Sequence, residues 1–170
     1  MTPNATVIYP SRKKLLLLTA GGGVFVALGF FLLQSTDIEE RLAGIASIVF
    51  FGACALFGTL RLVRPTPAVI LHSSGIFDNA SALPAGFLHW DEISSVYVAT
   101  IKNQRSLAIA LKDVNAFLSR QSGMKSKLMK MNVNLVGAAV NIPASTLPIS
   151  LEELIQQIQQ KCPAIHVVTK

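Results

Sequence analysis

The sequence is short of charge, of cysteine and of acid in particular. Only 14% of its 170 residues are Asp, Glu, Lys or Arg, against roughly 25% in a soluble domain. Hydrophobic residues make up 51%, which excludes a disordered chain. Two cysteines exclude a disulfide-stapled scaffold. There is no G-x-S-x-G, no P-loop, no G-x-G-x-x-G, no CxxC and no H-E-x-x-H. No catalytic residue, no metal and no cofactor is therefore expected. Nine acidic residues stand against fifteen basic ones, a net charge of +6.

What is present is long and apolar. Residues 15–33 and 42–60 are two uncharged runs of 19 residues each. At about 1.5 Å rise per residue each spans roughly 28 Å, close to the hydrocarbon thickness of a bilayer. A helical hairpin buried in a globular domain is the alternative, but so small a domain lacks the core to enclose it. A cleaved signal is the other alternative for the first run. Its apolar stretch exceeds the usual 7–15 residues and no A-x-A-like site follows, only Gln34-Ser35-Thr36-Asp37. The expected organisation is a tail over 1–14, a transmembrane hairpin over 15–64 and a domain over 65–170.

Arg12, Lys13 and Lys14 precede the first span and Arg61 and Arg64 follow the second, whereas the connector holds only Arg41. This bias places both termini in the cytoplasm. Thr19, Gly23 and Ala27 on the first span, and Ala43, Ser47, Cys54 and Gly58 on the second, are small residues at near-helical spacing that let helices approach. They make mutual packing, or a partner within the membrane, an expectation. Neither span holds an ionisable residue, which argues against a transport pathway.

After Arg64-Pro65-Thr66-Pro67 the pattern shortens to strands. Residues 68–71, 76–77, 87–90, 96–101 and 107–111 are rich in β-branched or aromatic residues, separated by turn signals at Ser73-Ser74-Gly75 and Pro84-Ala85-Gly86. Asp113 caps a short helix. A basic stretch over 119–131 follows, then a strand over 133–142 with Gly137 as a bulge. Ser150-Leu151-Glu152-Glu153 fits a capping box, opening a helix whose apolar stripe is Leu151, Leu154, Ile155, Ile158 and Cys162. The fold class expected is α+β, a bent antiparallel sheet closed by a C-terminal helix.

Gly75-Ile76, then Gly86-Phe87-Leu88-His89-Trp90-Asp91-Glu92-Ile93 followed by Val96, resembles the bacterial pleckstrin-homology-like pattern. With two membrane helices ahead of it, the chain is similar to a family of small uncharacterised bacterial inner-membrane proteins. The resemblance implies a bacterial inner-membrane location and a bent sheet capped by the C-terminal helix. Eukaryotic members of that fold often bind phosphoinositides through basic residues of the first hairpin loop. Here residues 73–86 hold no Lys or Arg, so that activity does not carry over.

The function expected first is a non-enzymatic membrane-anchored interaction module that presents a cytoplasmic pleckstrin-homology-like domain to a protein partner or to the inner leaflet, and the alternatives are a membrane-bound enzyme with a metal site and an accessory subunit. His89 and Asp91 alternate along a strand and, with His72, have side chains suited to zinc or iron, although no ligand-spaced motif supports them. Arg120, Lys125, Lys127 and Lys130 form an acid-free basic segment containing Met124, Leu128 and Met131, suited to an anionic lipid surface. The hairpin also suits an immunity or accessory subunit of a larger complex, or a homo-oligomer. The expected partners are the lipid bilayer and a protein. Nucleic acid is not expected, because the basic residues lack interleaved aromatics.

Overall fold

The computed structural model describes residues 5–101 and 103–168. They form two compact units. One is Ser11–Thr66; the other joins the residues before Ser11 to those from Pro67 onward.

The first unit is a helical hairpin. α1 (Arg12–Leu32) and α2 (Ile38–Val63) have 21 and 26 residues, and both are long and apolar enough to cross a membrane. Asp37 caps α2, its carboxylate accepting from the Glu39 amide at 2.9 Å. Glu39 and Glu40 in the first turn and Arg61 in the last complement the helix dipole. Between their charged ends the outward faces are largely apolar, with Leu17 70% and Leu18 75% exposed.

The second unit is α+β. β1 (Thr6–Ile8), β2 (Val69–Leu71), β3 (Gly75–Asp78) and β4 (Gly86–His89) form an antiparallel sheet in that order. β5 (Ile93–Ile101), β6 (Gln104–Leu111), β7 (Val140–Pro143) and β8 (His166–Val168) form a second, ordered β7-β6-β5-β8. That sheet is mixed, because β8 runs parallel to β5 while the other pairs are antiparallel. α3 (Val114–Ser119) and α4 (Gly123–Val136) connect β6 to β7, and α5 (Leu151–Lys161) follows.

One core joins both sheets to α5. Leu71, Ile76, Leu88, Leu107, Ile109 and Ile142 are fully buried against Leu154 and Ile158 of α5. The Ser150 hydroxyl caps α5 by accepting from the Glu153 amide at 3.1 Å, and the Asp113 carboxylate does the same for α3 at Ala116. Gly75 is packed so closely that a Cβ there would collide with the Leu88 carbonyl oxygen.

Four local expectations change. Residues 133–136 continue α4, because Val133 packs on the core from a helix already anchored by the fully buried Met129. Gly137 ends that helix in the left-handed region, at φ 79°, with its N–H on the Val133 carbonyl at 2.8 Å. The strand expected over 87–90 stops at His89, where Trp90–Glu92 forms one 3₁₀ turn. β1 and β8 are additional strands, each only three residues long and paired with partners distant in sequence.

Candidate functional site

α4 has an unusual face. Its buried side is Met129, with Val133 on the main core and Val136 in a smaller cluster around Tyr97, Ala108 and Ala138. The Tyr97 hydroxyl donates to the Val136 carbonyl at 2.8 Å, tying the helix end to β5. Burial pushes the Tyr97 phenol up. On the opposite side Met124, Leu128, Met131 and Leu135 recur at i, i+4, i+7 and i+11. They are 79%, 43%, 57% and 75% exposed. A helix in a water-soluble domain ordinarily turns polar residues outward.

Lysines border this stripe. At 100° per residue Lys127 and Lys130 fall on one flank and Lys125 on the other. Lys127 and Lys130 are exposed and Lys125 is half-buried. No acidic residue lies between Asp113 and Glu152, and among the described residues no carboxylate pairs with these lysines. Arg120 differs. It pairs with Glu92 and lies 5.9 Å from the Phe117 ring centre. Burial tends to raise the Glu92 carboxyl, but the Arg120 guanidinium and the His89 amide outweigh it and hold it below the ordinary range. Arg120 is thus engaged within the domain, and the accessible basic group is the three lysines.

In the hairpin, the seam between α1 and α2 follows a four-three alternation: Leu15, Thr19, Gly22, Val26 and Gly29 against Gly44, Ile48, Phe51, Ala55 and Gly58. Gly22, Gly29, Gly44 and Gly58 are its buried residues. A Cβ on Gly29 would lie 2.9 Å from the Gly44 carbonyl oxygen, and one on Gly44 would lie 2.7 Å from that of Gly29. Thr19 packs on Gly58, and the Ser47 hydroxyl donates to the Phe25 carbonyl at 2.9 Å. Gly23, Ala27, Ala43 and Cys54 face outward. Steps of four residues advance 40° around a helix, so a stripe of fours drifts off the seam that a four-three alternation follows.

The structure does not gather His72, His89 and Asp91. His72 follows β2 and His89 ends β4, with the Phe87 ring 5.7 Å from one imidazole and 4.9 Å from the other. Asp91 lies in the 3₁₀ turn rather than along the strand. Among the described residues no cluster of three or more His, Cys, Asp or Glu side chains is placed to hold a metal. Trp90, next to them, has a structural role. Its indole N–H lies 3.2 Å from the His72 carbonyl and 3.1 Å from that of Ser73, pinning the β2–β3 turn. Cys54 and Cys162 are free.

Comparison with known proteins returned no matching family model, no matching curated protein and no matching solved structure.

Proposed function

We propose that this chain is a non-enzymatic membrane-anchored module. Its hairpin spans the membrane and its β-domain docks on the same membrane's anionic leaflet through α4. The observation that carries the reading is the outward stripe Met124, Leu128, Met131 and Leu135, bordered by Lys125, Lys127 and Lys130 without a counter-charge. Such a helix lies in an interface with its apolar face among acyl chains and its lysines at the headgroups. Each lysine near an anionic surface contributes about 1 kcal/mol, so three give roughly 3 kcal/mol. Tethering removes most of the cost of association, so a weak attraction orients the domain.

The location we infer is the bacterial inner membrane, with both termini cytoplasmic. The five basic residues flanking the spans, against Arg41 alone in the connector, support this orientation. The pairing of Ile8 with Val69 supports only the part of this reading that puts the strands before and after the hairpin on one side of the membrane. Two successive sheets closed by a C-terminal helix support the pleckstrin-homology-like likeness.

Methionine oxidation tests leaflet docking on the full chain. In nanodiscs of anionic lipid at low salt, Met124 and Met131 should resist peroxide several-fold better than in zwitterionic nanodiscs. High salt, or the double change Lys127→Glu and Lys130→Glu, should abolish that protection. Equal oxidation in both lipids sinks the reading.

A further inference from the structure

A cleft of about 380 Å³ opens where the 79–85 loop, the tip of the β5–β6 hairpin, α4 and β7 meet. Its size falls within the ~300–1,000 Å³ of small-ligand sites. The loop is held from beneath. The fully buried Asp78 carboxylate accepts from the Ala80 and Ser81 amides through Oδ1, at 3.0 and 3.1 Å, and from the Ala85 amide through Oδ2 at 2.9 Å. Ser81, which lines the cleft, is therefore fixed in place.

Among the described residues, Ser81 and Asn141, which both line the cleft, each have a buried side-chain oxygen with no hydrogen-bond partner. Ser81 is 8% exposed and its Oγ makes no hydrogen bond. Asn141 donates through Nδ2 to the Ala138 carbonyl at 3.2 Å, which sets the orientation of its amide, and its buried Oδ1 has no donor. Buried polar atoms are bonded in the great majority of cases, so two orphans lining one cleft point to a donor from outside the chain. Among the described residues lining the cleft, Arg105 is the charged one. It gives one amino group to Glu152, and a guanidinium has five N–H donors in all. Leu83 and Ile101 supply apolar wall.

We propose that this cleft binds a small organic carboxylate that also carries an amide N–H or hydroxyl donor. The carboxylate meets Arg105, the donor meets Asn141 Oδ1 and Ser81 Oγ, and a short apolar body lies on Leu83 and Ile101. From α4 the cleft takes Asn132, which is not one of the four stripe residues.

N-acetylglycine and levulinate are suitable probes, because they share charge and length and differ by an N–H replaced with CH₂. Saturation-transfer NMR on the full chain in micelles should show N-acetylglycine binding and levulinate at least ~10-fold weaker, since a site built for a donor rejects analogues lacking it. Arg105→Gln should weaken N-acetylglycine binding to a similar degree, and Arg105→Lys should restore part of it. Ser81→Ala should weaken binding several-fold while leaving the thermal midpoint unchanged or higher, because it removes an orphan rather than a bond. Absence of N-acetylglycine binding at ~10 mM, equal binding of levulinate, or a Ser81→Ala variant that loses stability but not binding, would each overturn the proposal.

Discussion

A buried carboxylate needs donors, and Asp78 has three within 3.1 Å. Bonds from backbone amides to an ionised oxygen are stronger than neutral ones. Here they hold a loop that crosses the domain surface and returns to β4. Asp78→Ala would leave three amides unpaired and should destabilise the domain by roughly 3 kcal/mol or more, since each buried polar group left unsatisfied costs about 1–3 kcal/mol. Near-UV circular dichroism of the single Trp90 during heating would show a large fall in the midpoint, and an unchanged midpoint would refute the account. Asp78→Asn, which keeps acceptor capacity on one oxygen, should cost less. This role is not legible in the sequence. An Asp ahead of Asn79 and Ser81 looks like ordinary turn chemistry, and its bond to Ala85 spans seven residues. The caps at Asp113 and Ser150 are legible, because their acceptors reach amides only three residues away. Trp90 reads as one more strand aromatic, since its partners His72 and Ser73 lie seventeen or eighteen residues earlier.

At the scale of elements, length and periodicity carry most of the information. The two apolar runs appear as the two long helices, and the amphipathic stripe of α5 lies on the core through Leu151, Leu154 and Ile158. The seam between α1 and α2 is harder to read, because small residues occur on every side of these helices and only packing selects a set. Gly29 and Gly44 bring the two backbones together, whereas nothing lies within 4 Å of a Cβ built on Gly23. A larger side chain therefore has opposite consequences at the two kinds of position. Gly44→Leu should splay the hairpin, broadening and lengthening the distance between spin labels on the outward-facing residues 28 and 45 in a background with both Cys54→Ser and Cys162→Ser. Gly23→Leu should leave that distance unchanged. Equal responses of the two variants would refute the seam. The end of α4 is obscure for a related reason. Val133, Val136 and Val140 suit a strand by propensity, but Met129 and Val133 already hold the helix to the core, and tertiary packing overrides so weak a preference.

At the scale of the whole molecule, the β-domain is discontinuous in sequence. β1 precedes the hairpin, β2 follows it, and they pair in the register Thr6↔Leu71, Val7↔Ile70 and Ile8↔Val69. The Ala68 amide donates to the Ile8 carbonyl at 2.8 Å, and Ile8 is 6% exposed within the core. A signal-like cleavage after α1 would remove this strand from the core. Three residues of Thr-Val-Ile give no usable periodicity, and β2 begins only at Val69, so the sequence shows no boundary that would assign them to the domain. The same pairing makes the hairpin removable. A chain running from residue 5 to 10, through a short Gly-Ser linker, and on from residue 67 to 168 keeps β1 beside β2. It should fold cooperatively in water, though the exposed stripe of α4 invites self-association and calls for low protein concentration. Residues 67–168 alone should be less stable by about 2–3 kcal/mol, the burial of one isoleucine together with the loss of a short ladder. In a domain of roughly 100 residues that lowers the thermal midpoint by at least about 10 °C. Ile8→Ala in the linked chain should reproduce much of the loss. Equal midpoints with and without residues 5–10 would mean that the N-terminal strand adds nothing to the fold.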